Sequence, residues 1–258
     1  MDSVNRFSTR ADNYAKYRPG YPTGVIDILK AACGLRETSV VADVGSGTGI
    51  LTELFLKNGN SVFAIEPNRA MRLSAERLLV AYPKFLSVDA TAEETTLKDE
   101  SVDFIAAAQA FHWFDRKRVR QEFARILKSD GWVVLIWNER MLDSTPFLRA
   151  YEDLLLRYGT DYDKVRHENV VGEIGDFFAP AGFQLSNLEN YQHFDFESLK
   201  GRVLSSSYTP EPDHPTFEPM LKELQEIFKT FSKDGMVTFE YETRVYYGRL
   251  ERLENLAR

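Results

Sequence analysis

The sequence predicts a doubly wound α/β sheet, mostly parallel with an antiparallel last strand, in three αβα layers. Three observations carry that prediction. Apolar, β-branched runs alternate with amphipathic helical stretches as far as Arg140, the pattern of parallel strands covered by helices. A glycine-rich turn, Asp43-Val44-Gly45-Ser46-Gly47-Thr48-Gly49, joins the first run to a helix. A late stretch, 198–234, separates the last two strand-like segments and is expected to form a small helical lid inserted in the sheet. One domain, 1–258, is expected, with residues 1–22 as a covering segment.

Each element has its own justification. In FSTRADNYAKYRPGYP, Tyr14, Tyr17 and Arg18 share one face if the stretch is helical, and Pro19, Gly20 and Pro22 then break it. Thr23 to Ala32 has apolar residues at helical spacing (Val25, Ile28, Leu29). SVVADV is the first strand, and a helix follows the glycine turn. SVFAIEPN is the second strand, and a helix from Arg69 to Tyr82 precedes Pro83. KFLSVDA and Ser101 to Ala108 are the third and fourth strands. Asp115 caps a helix expected to run through Lys128, with Val119, Phe123, Ile126 and Leu127 on one side. Asp130-Gly131 reads as a turn before a fifth strand, WVVLIW. Beyond it, helices are expected at Leu148–Tyr158, Leu199–Leu204 and Met220–Phe231, and strands at Phe183–Phe196 and Met236–Tyr247.

Composition excludes several classes. The chain has 39 acidic and 32 basic side chains, a formal charge of −7. A protein built mainly to grip a nucleic-acid backbone needs the opposite balance. The run Arg116-Lys117-Arg118-Val119-Arg120 is therefore expected on the solvent side of an amphipathic helix. The longest apolar run, Trp132 to Trp137, has six residues, whereas a spanning helix needs about 20. No membrane span is expected. The N-terminal MDSVNRFSTRADN lacks an apolar signal core, and Cys33 is the single cysteine, so no internal disulfide can form. A cytoplasmic protein is expected, with Cys33 as a core thiol. His167, His193 and His214 lack ligand spacing, so no metal is expected.

The glycine turn is the sharpest feature. Its glycines permit positive φ and close approach to bare backbone, and the following helix presents unpaired N–H groups. The dinucleotide fingerprint G-x-G-x-x-G would place its third glycine at Ile50, but here it falls one residue early, at Gly49. Glu66 ends the second strand, where a carboxylate can accept both hydroxyl hydrogens of a ribose. Turn and acid together point to an adenosine cofactor. The plainer alternative is a tight structural turn only.

At this point the sequence resembles a known family. VADVGSGTGILT resembles the first motif of the class I S-adenosylmethionine-dependent methyltransferases, AIEPN their second, and SVDATAEE their adenine-binding third. AAAQAFHWFD and ARILKSDGWVVLIWNER complete the series. YAKYRPGYP followed by AFHWFD is similar to a narrower methyltransferase type 11 group that includes trans-aconitate methyltransferase-like enzymes. The resemblance spans roughly Phe7 to Arg140. It implies a Rossmann-like fold, S-adenosylmethionine as cofactor and a small-molecule methyl acceptor, with a carboxylate among the acceptors expected.

Residue by residue, the resemblance implies that Gly45, Ser46, Gly47, Thr48 and Gly49 pack under the methionine part of the cofactor. Asp43 and Gly45 would face its amino group and backbone. Glu66 would hold the ribose, flanked by Pro67 and Asn68. Asp89 would accept from the adenine amino group and Ala90 would offer its N–H. Gln109 and Ala110 would line the sulfonium pocket. Tyr14, Tyr17 and Arg18 would close over the cofactor, Arg18 toward its carboxylate; read from the residues alone, they belong to a helix that packs on the domain. His112, in Phe111-His112-Trp113-Phe114, is a candidate base or orienting residue. The alternative is an aromatic plug in which His112 is structural. Trp113 and Arg140 are candidate acceptor contacts. The rival functions are a non-catalytic S-adenosylmethionine-binding module and a nicotinamide-dependent oxidoreductase. Partners beyond a small molecule are not expected, and a monomer or homodimer is.

Overall fold

The computed structural model describes residues 16–160, 162, 170–206 and 208–251. Seven strands form one sheet: β1 Val40–Val44, β2 Ser61–Ile65, β3 Phe85–Val88, β4 Val102–Ala108, β5 Leu127–Arg140, β6 Phe183–Phe194 and β7 Val237–Gly248. Their order is β3-β2-β1-β4-β5-β7-β6. The first five strands pair in parallel, and β7 lies antiparallel between β5 and β6. The strand order reverses between β1 and β4, and ligands of such sheets bind at that crevice, beyond the carboxyl ends of the strands.

The helices are α1 Gly24–Cys33, α2 Ile50–Lys57, α3 Arg69–Leu78, α4 Arg116–Ile126, α5 Pro146–Tyr158, α6 Val170–Phe178, α7 Phe196–Leu204 and α8 Phe217–Phe231, with a 3-10 turn at Phe111–Trp113. Alternation along β5 decides the layers. Val133, Leu135 and Trp137 pack with Val119 and Phe123 of α4 and Phe177 and Phe178 of α6. Val134 and Ile136 face the other way, onto Val25 and Leu29 of α1 and Phe55 of α2. Cys33 belongs to that second cluster. Burial pushes its thiol up to about 12, as expected of a core cysteine.

Arg116, Lys117 and Arg118 of the basic run are exposed, as expected, and two members of the run also tie helices together. Arg116 pairs with Glu173, and Arg120 donates to the carbonyls of Phe177 and Ala179, tying α4 to α6. Asp115 is the N-cap, accepting from the N–H groups of Lys117 and Arg118.

Two local expectations are corrected. The helix after Asp115 stops at Ile126, not Lys128, because Leu127 pairs with Val102 of β4. The ladder then jumps to Phe104↔Trp132, so Lys128–Gly131 form a bulge within β5 rather than a free turn before it. A Cβ on Gly131 would lie 2.5 Å from Leu127 Cδ1. The insertion between β6 and β7 is also wider than 198–234: α7 starts at Phe196 and α8 at Phe217. Its apolar sides do not stand alone. Leu199, Val203, Met220 and Leu224 form a third core with Phe147, Leu148 and Tyr151 of α5 and Phe239 of β7. No helix among the described residues is long and apolar enough to cross a membrane.

Candidate active site

The turn after β1 is built by three glycines at positive φ: Gly45 at 69°, Gly47 at 57° and Gly49 at 85°. They serve different ends. A Cβ on Gly45 would stand 2.6 Å from the Ala110 Cβ, and one on Gly49 would stand 2.6 Å from Leu79 Cδ1, so these two let the turn pack. A Cβ on Gly47 would meet no atom of the described residues within 4 Å, and Gly47 lines a cavity of about 260 Å³. Its bare face belongs to whatever occupies that space.

Glu66 sits across from the turn, buried at 9% exposure. Its Oε2 accepts from the Gly47 N–H at 2.9 Å, and its Oε1 accepts from the Asn68 N–H at 2.8 Å. Each oxygen keeps a further lone pair. Burial raises its pKa, against the Asn68 and Gly47 bonds and the nearby Arg72, which hold it down. Pro67 and Asn68 complete this wall, and the Asn68 side chain caps α3 through the N–H groups of Ala70 and Met71.

The β4 side supplies Ala108, Gln109, Ala110, Trp113 and Phe114. Gln109 has φ 53°, a strained conformation for a residue with a side chain. Its amide holds the neighbouring strand through the Asn138 carbonyl, 3.1 Å away. Phe111 turns inward instead, its ring edge-on to Phe177 at 4.8 Å.

Not every expected residue reaches the cavity. Ser46, Thr48 and Gly49 shape the turn without lining it. Asp43 lies behind it, 1% exposed, with the Thr52 hydroxyl donating to its Oδ2 at 2.5 Å. Asp89 points outward to Arg72 at 2.6 Å, its side chain 69% exposed, and Ala90 is buried beneath. Thr91, Ala92 and Glu93 form the cavity wall after β3 in their place. His112 is not part of the wall; its ring leans on Trp113, centroids 4.6 Å apart. Tyr17 packs against Gly201 of α7 and Arg18 donates to the Ser205 carbonyl, and neither lines the cavity. Tyr14 lies outside the described residues. Arg140 is buried against Glu152 and the Tyr162 hydroxyl, beyond the end of β5. Met71, Ala108, Phe114 and the 91–93 wall were not among the expected site residues, although 91–93 lie within SVDATAEE. The TAEE stretch after SVDA was the available cue to the last of these.

Burial pushes the Asp43 carboxyl up to about 7, against the Thr52 hydroxyl bond and aided by the Glu66 charge. Its folded pKa thus exceeds its unfolded value. The stability it contributes is fully present below about pH 4 and is lost as pH rises through 7. Asp43→Asn is therefore expected to raise Tm above wild type most at pH 8, the advantage shrinking toward pH 5. Thermal melts across that range check it, and an advantage independent of pH would contradict it.

Comparison with known proteins settles the class. A methyltransferase of Schizosaccharomyces pombe, itself uncharacterized, is 30% identical over 240 residues, covering 88% of each chain. The chain belongs to the S-adenosylmethionine-dependent methyltransferase family. The methyltransferase-domain family matches residues 42–135, which run from β1 into β5. An uncharacterized methyltransferase of Mycobacterium tuberculosis is 39% identical over 160 residues, 62% of this chain and 61% of that one. A second fission-yeast relative is 33% identical over 162 residues, and its match spans 60% of its length. Among solved structures, a provisionally assigned type II methyltransferase from Anaeromyxobacter dehalogenans superposes with a TM-score of 0.66 at 21% identity, over 92% of this chain and all of that one. Phosphoethanolamine N-methyltransferase 2 of Haemonchus contortus, in complex with S-adenosyl-L-methionine, gives 0.56 at 13% identity, over 97% of this methyltransferase and 59% of that chain. These likenesses show the shared fold.

Proposed function

We propose that the chain is a cytosolic methyltransferase that moves a methyl group from S-adenosylmethionine to a small-molecule carboxylate. The observation that carries this reading is the pairing of Gly47 and Glu66 on one cavity at the strand-order reversal. The residues fit the cofactor. Gly47 leaves space that a Cβ would fill, and Glu66 keeps acceptor capacity after binding two backbone N–H groups. When bound, S-adenosylmethionine supplies a methyl group activated by a sulfonium.

The chain's own residues then bind, orient and exclude water. Glu66 would accept from ribose hydroxyls, with Pro67, Asn68 and Met71 beside it. Thr91 to Glu93 would take the base. Gln109, Ala110 and Phe114 would wall the methyl-bearing end, and Trp113, 38% exposed, would meet the acceptor. A carboxylate is already ionised near neutral pH, so no residue need remove a proton. Calorimetry with S-adenosylhomocysteine, followed by mass detection of methyl transfer across a carboxylate panel, tests the reading. A folded protein that binds no S-adenosylhomocysteine overturns it.

His112 gives a sharper check. Since it leans on Trp113 outside the cavity wall, His112→Ala should cost less than about tenfold in kcat, through positioning. The wild-type rate should be nearly flat from pH 6 to 8. A loss of 10²–10⁴-fold with an acid limb near pH 6.5 would instead mark general-base help.

A further inference from the structure

Beyond the end of β5, three elements bring buried guanidinium groups and phenols together. Arg140 ends β5, with its side chain 10% exposed. Arg202 comes from α7 and is 5% exposed, and Tyr151 comes from α5 and is 1% exposed. The Arg140 guanidinium carbon lies 5.0 Å from the Tyr151 ring centroid. Tyr208 stacks obliquely on Tyr162 at 4.8 Å, and Tyr162 donates to Glu152 at 2.7 Å. Arg18 reaches the same region through the Ser205 carbonyl.

Among the described residues the charge there does not balance. Glu152 pairs with Arg140. Arg202 has only neutral oxygens near it among the described residues: it donates to the Ser206 hydroxyl at 3.1 Å, and its other neighbours are Tyr241, Tyr151 and Tyr208. Arg202 Nε, Arg140 Nη1 and the Tyr151 hydroxyl are buried and make no hydrogen bond among the described residues. A buried cation without a partner anion is costly, and so is each unmade bond. A fold retains such a group where a ligand completes it.

We propose that Arg202, Arg140 and the Tyr151 hydroxyl form an oxyanion-binding site that holds an anionic group of the acceptor other than the one methylated. This rests on the methyltransferase reading and extends it. A guanidinium bound to a carboxylate occupies the lone pairs that would attack a methyl group, so the gripped group is the handle and not the nucleophile. The site lies on the carboxyl edge that carries Gln109 and Trp113, one strand further along. The field around Tyr208 agrees. Burial would push its phenol up, yet Arg202, Arg18, the Ser206 bond and Arg140 together bring it below the ordinary value.

The test compares the full-length wild type with Arg202→Met in thermal melts. Sodium glutarate, sulfate and phosphate are each set against chloride at matched ionic strength. Oxyanions are expected to raise the wild-type Tm by several degrees over chloride. Arg202→Met is expected to melt higher than wild type in chloride, because the uncompensated charge is gone, and to lose the oxyanion response. A larger shift with glutarate marks a carboxylate handle, and one with phosphate a phosphoryl handle; either supports the site. No shift beyond chloride in the wild type, or an undiminished shift in Arg202→Met, overturns it. Should that variant fail to fold, Arg202→Lys keeps the charge without the planar fork, and an undiminished shift there overturns the proposal equally. S-adenosylhomocysteine affinity, measured on the same samples, should stay within about twofold. Its absence in the wild type would defeat the methyltransferase reading while the oxyanion response is judged on its own.

Discussion

Gly47→Val is expected to lower S-adenosylhomocysteine affinity by more than about a hundredfold, roughly 2.8 kcal/mol or more. Two effects act together. The valine side chain would stand in open space at the cavity wall, since no described residue comes within 4 Å of a Cβ on Gly47. A β-branched residue also resists a φ of 57°, a region costly for residues other than glycine. Gly47→Ala separates the two, adding one methyl group with less backbone conflict, and should lose about tenfold. Calorimetry on folded variants measures both. Wild-type affinity in folded Gly47→Val would mean that the glycine serves only the turn.

Glu66→Ala should weaken the same ligand by about ten- to a hundredfold. A charge-assisted hydrogen bond contributes about 1.5–3 kcal/mol. Removing this carboxylate also strips an acceptor from the Gly47 and Asn68 N–H groups, leaving the turn tied to β2, among the described residues, only through the Gly45 and Ser46 N–H groups on the Ile65 carbonyl. Glu66→Gln keeps one carbonyl acceptor and should lose less. Because burial holds the Glu66 pKa above that of an exposed glutamate, wild-type affinity should begin to fall on acidification at a higher pH than an exposed carboxylate would dictate. Unchanged affinity in folded Glu66→Ala would remove Glu66 from the site.

What the sequence made legible follows from local chemistry. The strand runs were readable because buried parallel strands are apolar along their length, and the glycine turn because its backbone conformation leaves few alternatives. Glu66, Pro67 and Asn68 follow from their place at the end of β2. Asp89 shows the limit. Its position after β3 was correct, but a strand end does not fix where a side chain points: Asp89 stays mostly exposed, paired with Arg72 of α3, and does not line the cavity. Position alone likewise put His112 near the site, where the 3-10 turn aims Trp113 and Phe114 at the cavity instead. The stop at Ile126 depends on a pairing with β4 that no helical period records. Arg202 carried no cue: its significance comes from Arg140 and Tyr151, far away in the chain.

The ribbon formed by β6 and β7 pairs without a break from Phe183↔Gly248 to Phe194↔Val237. The chain therefore leaves the sheet at Phe194 and re-enters beside it at Val237. Topologically, everything between is an appendix hung from two adjacent points. Lengthening such an excursion costs only about 0.6 kcal/mol per doubling of its length, and its end points do not shift the register of β1, β2 or β4. A replacement for residues 195–236 would have to keep the apolar face that packs on α5 and β7, whereas the glycine turn and Glu66 lie wholly outside the span.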